Sequence, residues 1–251
     1  MARIDNLSNF LTDVANSIRN KKETTEPILA SDFDNEINSL SSKYSPRHIA
    51  FASYDGTELN DEFSRLDLSK VTSMKYMFYV CTNLENIDLG DFDASNVTNM
   101  YYSFNGCTNL KTVKIDKFNT KNVINMGGLF SDCTSLEELD LTNFDTSNVT
   151  SLYRAFFGCT NLKKLNLSTW NTSKVTDFRY MFSNCKKLER LDIRNFDFSS
   201  IDSNGDYCMF SGLNTACLII VKNETVKTWI YKRLSYAYTV KTVAELTEEE
   251  M

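Results

Sequence analysis

Catalysis in this 251-residue chain would have to be built from one histidine, seven cysteines and scattered carboxylates. His48 stands alone, and Ser–His or Cys–His nucleophile pairs need an imidazole beside the nucleophile. Its place before Ile49 and Phe51 reads as a surface residue at a strand start. Cys81, Cys107, Cys133, Cys159 and Cys185 recur every 26 residues. That spacing sets thiols in a line about 4.8 Å apart, the separation of neighbouring strands. Zinc needs four ligands round one point, usually with a C-x2–4-C pair. The line reads instead as a buried thiol ladder, since free cysteine packs as a small apolar residue. Cys208 and Cys217 fall outside it. No G-x-G-x-x-G, P-loop, H-E-x-x-H or EF-hand pattern occurs, so no metal or other cofactor is expected.

The carboxylates allow a test against glycosidase chemistry. Glu138 and Asp140 would share a strand face about 7 Å apart, and Asp88 and Asp140 would lie two repeats apart, about 10 Å. Those separations overlap the inverting range, which keeps a glycan hydrolase open as an alternative. The column Asp88, Lys114, Asp140, Asn166, Asp192 reads more simply as a solvated charge ladder. A catalytic acid also needs a pKa raised by apolar surroundings, and no aromatic column lines that face. The expectation is a protein that is not an enzyme.

Contact chemistry is better represented. One column runs Tyr76, Tyr102, Gly128, Arg154, Tyr180, and its neighbour runs Lys75, Tyr101, Gly127, Tyr153, Arg179. Exposed tyrosine offers contact area at low entropic cost. The candidate binding residues are therefore Tyr76, Tyr101, Tyr102, Tyr153, Arg154 and Tyr180, with a shallow gap expected at Gly127-Gly128. Against this stands the simpler reading that the rings pack along the surface or cover neighbouring turns. The alternative binding face is the strand side, with Asp88, Lys114, Glu138, Asp140, Lys164 and Arg190.

The elements that position these residues follow from the repeat. Columns at the same step include Phe78 to Phe182, Val71 to Val175, Leu84 to Leu188, and the aromatics Phe92, Phe118, Phe144, Trp170 and Phe196. A fixed period of this kind marks a solenoid. Within one unit, Leu139 and Leu141 alternate with polar neighbours as in a half-buried strand. Asp145-Thr146-Ser147-Asn148 is corner and cap chemistry, which also accounts for the recurring Asn-x-Ser/Thr at Asn96 and Asn148. Val149, Leu152 and Phe156 step by three and four, which predicts a short helix of about two turns. The fold class is an α/β repeat solenoid, a right-handed coil of about six to seven turns. Two extra residues interrupt the period near Asn204-Gly205. The boundaries read as a helical hairpin at 1–43, an N-terminal cap and shortened first turn at 44–70, the solenoid at 71–221, and a C-terminal cap at 222–251. That cap should hold a helix from Glu224 to Leu234, and a last strand near Val240.

The unit L-x-x-L-x-L followed by F-D-T-S-N-V-T, as in 136–150, resembles leucine-rich repeats and, in its longer form, the BspA-like repeats. These occur in bacterial surface antigens, mycoplasma proteins and some phage tail proteins. The resemblance covers roughly Leu84 to Leu188 and implies adhesion and binding. The N-terminal segment carries Ile4, Leu7, Leu11, Val14 and Ile18 in 3-4-3-4 spacing, a helical seam for packing, attachment or self-association. Ile18-Arg19-x-Lys21 and then Ile28 to Ile37 resemble an N-terminal module of phage and prophage tail proteins. Glu23-Thr24-Thr25 replaces that module's usual K-T-G, and Ala30 its common Pro.

Composition narrows the function classes. A net charge of −6 argues against sequence-independent binding to nucleic acid or anionic membrane. No apolar run approaches the length of a membrane span, and Met1 to Phe10 show no secretory pattern. The leading expectation is a phage or prophage tail-tip, fibre or baseplate component, resident in the virion. Its partners would be other tail or baseplate proteins through the hairpin, a host-surface glycan or protein, and a possible second copy of itself. A bacterial surface adhesin is the first alternative.

Overall fold

The computed structural model describes residues 56–57, 71–90, 92, 94–115, 118–201, 204–234 and 238–250. The expected hairpin at 1–43 with its seam lies outside these residues, as does the cap at 44–70 apart from Gly56 and Thr57.

The described strands are short: β1 (Asn86–Asp88), β2 (Thr112–Lys114), β3 (Lys164–Asn166), β4 (Arg190–Asp192), β5 (Leu218–Val221) and β6 (Thr239–Thr242). All pair in parallel, β1 with β2, and β3-β4-β5-β6 in chain order. Asn86 faces Thr112 and Lys164 faces Arg190, so each turn of chain adds one rung at a step of 26 residues. The intervening rung joins β3 through a bridge between Asp140 and Asn166. A second line of parallel bridges runs Ser73, Asn99, Asn125, Ser151, Asp177. The regular elements of the described chain are thus mostly parallel strands, with few helices.

The apolar columns fill the space between these lines. Phe78, Phe104, Phe130, Phe156 and Phe182 are fully or almost fully buried and stack at 5.0–6.1 Å between successive rings. Phe92, Phe118, Phe144 and Trp170 form a second stack. The thiol ladder is buried throughout, and it does more than fill volume. The Sγ of Cys107, Cys133, Cys159 and Cys185 each donates to the carbonyl of a phenylalanine one rung back, at 3.0–3.2 Å. Burial raises the pKa of Cys133 and Cys159, and pushes Cys185 up to about 12, so the thiols stay protonated donors. A threonine column does the same work with hydroxyls: Thr120, Thr146 and Thr172 donate to carbonyls of the next corner.

The expected short helix in each turn is not found. Residues 149–157 and their equivalents form a run of tight turns instead. Alternate N–H groups leave the local chain altogether: Met74, Tyr76, Phe78 and Val80 donate to Asn99, Tyr101, Ser103 and Asn105 of the next rung, at 2.7–3.0 Å. The residues between them bond three back, as Met77 to Met74. An α-helix would aim its N–H groups along its own axis, with those beyond the first turn bonded four residues back, and leave the rungs unlinked on this side. The three-and-four apolar spacing survives because Val149, Leu152 and Phe156 point inward from the turn run just as they would from a helix.

Near Asn204 two extra residues enter, and the span from donor to acceptor lengthens from 25 residues to 27: Tyr180 N–H donates to Tyr207 where Arg154 donates to Arg179. Beyond β5 the turn run is replaced by α1 (Glu224–Tyr231), N-capped by Asn223, whose side chain accepts from Val226. Trp229 stacks on Phe198 at 4.0 Å, and Arg233 covers Trp229 while pairing with Asp206. The chain then returns as β6 beside β5.

Two outcomes are expected. Phe144→Ala removes a ring stacked between Phe118 and Trp170, and should cost about 3–5 kcal/mol in denaturant unfolding. A change under about 1 kcal/mol would contradict its core position. A thiol reagent added to native protein should label half-exposed Cys208 first and reach the five ladder cysteines and Cys217 only on unfolding. Fast labelling of Cys107 or Cys133 would show that the ladder is open.

Candidate functional site

Each turn run begins at a short polar residue whose side chain pins the backbone two residues on. Asn99 Oδ1 accepts from Tyr101 N–H, Asn125 Oδ1 from Gly127, Ser151 Oγ from Tyr153 and Asp177 Oδ1 from Arg179. These turns place the candidate column one residue later. There the backbone is left-handed: φ is +59° at Tyr76, +55° at Tyr102, +63° at Gly128, +54° at Arg154, +60° at Tyr180 and +53° at Cys208. Four residues on, a second left-handed column holds Val80, Gly106, Asp132, Gly158, Asn184 and Gly212. Glycine, Asn and Asp dominate the second column, as the steric rule for positive φ requires. The first column carries bulky aromatic and cationic side chains instead.

Those side chains meet. Tyr76 lies 5.8 Å from Tyr101 and stacks on Tyr102 at 5.9 Å, with Lys75 against Tyr76 and Tyr101. Tyr101 and Tyr102 touch edge to face at 4.3 Å. Two rungs on, the Arg154 guanidinium lies 4.5 Å from the Phe157 ring centre, 5.2 Å from Tyr180 and 5.5 Å from Tyr153, while Arg179 also covers Tyr153. All six candidate residues are half-buried.

The expected gap at Gly127-Gly128 is filled. A methyl group on Gly128 would sit 2.0 Å from Cδ1 of Tyr102, and one on Gly127 would sit 3.0 Å from Cδ2 of Tyr101. Both phenol rings lean across one rung toward Tyr153 and Arg154. Burial pushes Tyr102 up to about 12 and raises Tyr101, while the Arg154 charge pulls both down. Tyr79, Phe157 and Tyr207 also belong to this surface, through contacts with Tyr76 and Tyr180. Tyr79 and Phe157 follow a left-handed residue by three, and Tyr207 matches Arg179 only once the two-residue insertion is counted. The same count places Cys208 in the Tyr180 column.

The strand-face candidates behave differently. Lys114 pairs with Asp88 at 2.8 Å, one rung apart, as the charge ladder implies. Glu138 and Lys164 are exposed and Arg190 is half-buried. Asp140 accepts from Thr142 N–H and its hydroxyl, and these bonds hold its carboxyl below the usual range. A general acid needs the opposite shift. Among the described residues no cluster of His, Cys, Asp and Glu is arranged to hold a metal ion, and no helix is long and apolar enough to cross a membrane.

The filled slot gives a double-mutant test. Gly128→Ala should destabilise by about 1–3 kcal/mol, from strained φ and the clash with Tyr102. Adding Tyr102→Ala should recover the clash and leave the φ cost, giving a coupling energy of about 1 kcal/mol or more. Strict additivity would place the Tyr102 ring elsewhere.

Two overlapping stretches, residues 48–140 and 103–222, match the family model described as Mycoplasma protein of unknown function, DUF285. No curated protein matches the chain. Together the two stretches span more than half of the sequence and take in the whole left-handed column, so the chain belongs to the DUF285 family.

Proposed function

We propose that this chain is a non-enzymatic recognition protein of a phage or prophage tail. Its repeats form a leucine-rich-repeat solenoid that presents the tyrosine–arginine column to a host-surface glycan or a partner protein. Its N-terminal segment, residues 1–43, attaches it to other tail or baseplate proteins. The placement in a tail rests on the resemblance of Ile18 to Lys21 and Ile28 to Ile37 to a tail-protein module.

One observation carries the binding reading. A non-glycine residue in the left-handed region costs about 1–3 kcal/mol, and glycine avoids that cost. Tyr76, Tyr102, Arg154 and Tyr180 all occupy such positions with φ between +54° and +60°. The parallel column four residues on shows that this fold accepts glycine readily, at Gly106, Gly158 and Gly212. Ring packing offsets part of the cost at Tyr102, which covers Gly128. At Arg154 the guanidinium packs on rings too, but its Nε is buried without an acceptor, which adds a second cost to the strained backbone. Large contact side chains held at strained positions on one surface fit a recognition face better than a purely structural one.

Tyr102→Ala combined with Tyr153→Ala should leave the circular dichroism spectrum native and lower attachment to host cells or a glycan array at least about tenfold, the size of losing interface aromatics. Wild-type attachment in that variant, with loss in Lys114→Glu or Asp140→Lys, would move the site to the strand face. Deleting residues 1–43 should abolish incorporation into tail particles, and normal incorporation would refute the attachment role.

A further inference from the structure

Arg154 is the most unusual charge on the described surface. Its Nε is buried with no hydrogen-bond partner. No carboxylate pairs with it among the described residues, whereas Arg179 is held by Asp177, Arg194 by Asp192 and Arg233 by Asp206. The Arg154 guanidinium is packed against the rings of Tyr153, Phe157 and Tyr180. Nε is the only one of its nitrogens buried without a partner, and its Nη groups make no hydrogen bond among the described residues, so the Nη donors of the fork are unspent.

The neighbouring rungs bring further donors to the same place. Positions 102, 128 and 154 are successive members of one column, and 101, 127 and 153 are successive members of the next. With no side chain at Gly127 and Gly128, the Tyr101 and Tyr102 rings cross the vacant rung toward Arg154. Positions 102 and 154 are two rungs, about 10 Å, apart and a tyrosine spans about one, so the phenol hydroxyls end within one rung of the guanidinium, close enough for its charge to act on both phenols.

We infer that Arg154, with the hydroxyls of Tyr101, Tyr102 and Tyr153, forms an anion subsite that takes the carboxylate of an acidic sugar. This rests on the tyrosine–arginine column being the recognition face. The guanidinium fork matches a carboxylate in a bidentate pair. Neutral phenols supply donors without repelling the anion. The flat rings of Tyr153 and Tyr180 beside the fork offer apolar faces for the C–H side of a pyranose, which a bare Asp or Glu side chain would leave unused. Lys75, resting on Tyr76 and Tyr101 without an ion pair among the described residues, places a second cation three rungs, about 14 Å, along the same surface, for an acidic unit further along a chain.

Titration calorimetry on the full chain with oligogalacturonate and oligoglucuronate, against a neutral galacto-oligosaccharide of equal length, tests this. Binding of at least one uronate, weakened by added salt, is expected, with none for the neutral sugar. Arg154→Gln should lower uronate affinity at least tenfold, and Arg154→Lys several-fold, because an ammonium keeps the charge and loses the fork. Equal binding of the neutral sugar, wild-type affinity in Arg154→Gln, or no uronate binding at all would overturn the subsite. So would binding of poly-glutamate in place of the sugars, which would make the ligand an acidic protein. If cell attachment is lost in the Tyr102/Tyr153 double variant yet unchanged in Arg154→Gln, the recognition face stands and only the acid subsite fails.

Discussion

The structure depends on one interaction: the backbone hydrogen bond that leaves a turn run and lands one rung away. Tight turns use only part of their backbone polar groups locally, and a buried N–H without a partner is costly. Tyr102, Phe104 and Gly106 meet this demand by donating to Gly127, Leu129 and Ser131. The repeat is therefore held at 26 residues on both lines of pairing, as Ser73 with Asn99 and Lys164 with Arg190, up to the insertion near Asn204. Side-chain bonds from the cysteine and threonine columns reinforce the same register from within. Up to that insertion every column, apolar or polar, aligns because these bonds hold one register.

The same constraint creates the candidate surface. Turning the chain sharply while keeping alternate N–H groups aimed at the next rung requires two left-handed residues in each run. One column meets the requirement mainly with Gly, Asn and Asp. The other holds tyrosine and arginine, and its side chains emerge side by side at rung spacing. Fold and candidate surface thus share a cause. The geometry that closes each turn also projects a ladder of rings whose spacing is set by the sheet.

Much of this was legible in the sequence, for physical reasons that can be named. A buried column tolerates little variation in size or polarity, so Cys81 to Cys185 and Phe78 to Phe182 announce the step directly. The charge pair of Lys114 and Asp88 and the strand at Leu218 to Val221 were legible on the same grounds. In sequence the turn run is indistinguishable from a helix, because inward positions three and four apart are common to both. Only backbone sign separates them, and among the column residues only Gly128 advertises it. Tyr102 and Arg154 conceal a left-handed backbone behind side chains that ordinarily avoid it. Gly127-Gly128 suggests a gap for a related reason: a missing side chain shows in the sequence, but the ring that leans in from the preceding rung does not.

Replacing Tyr76, Tyr102, Arg154 and Tyr180 together by glycine tests the central claim, that this column serves recognition and not cohesion. The substitutions relieve four strained φ values while deleting half-buried rings, so the two effects oppose each other. Stability within about 1–2 kcal/mol of wild type is expected in denaturant unfolding, together with complete loss of attachment to the ligand surface. A fall of more than about 4 kcal/mol, with attachment per folded molecule unchanged, would show that the column holds the fold together and that recognition lies elsewhere.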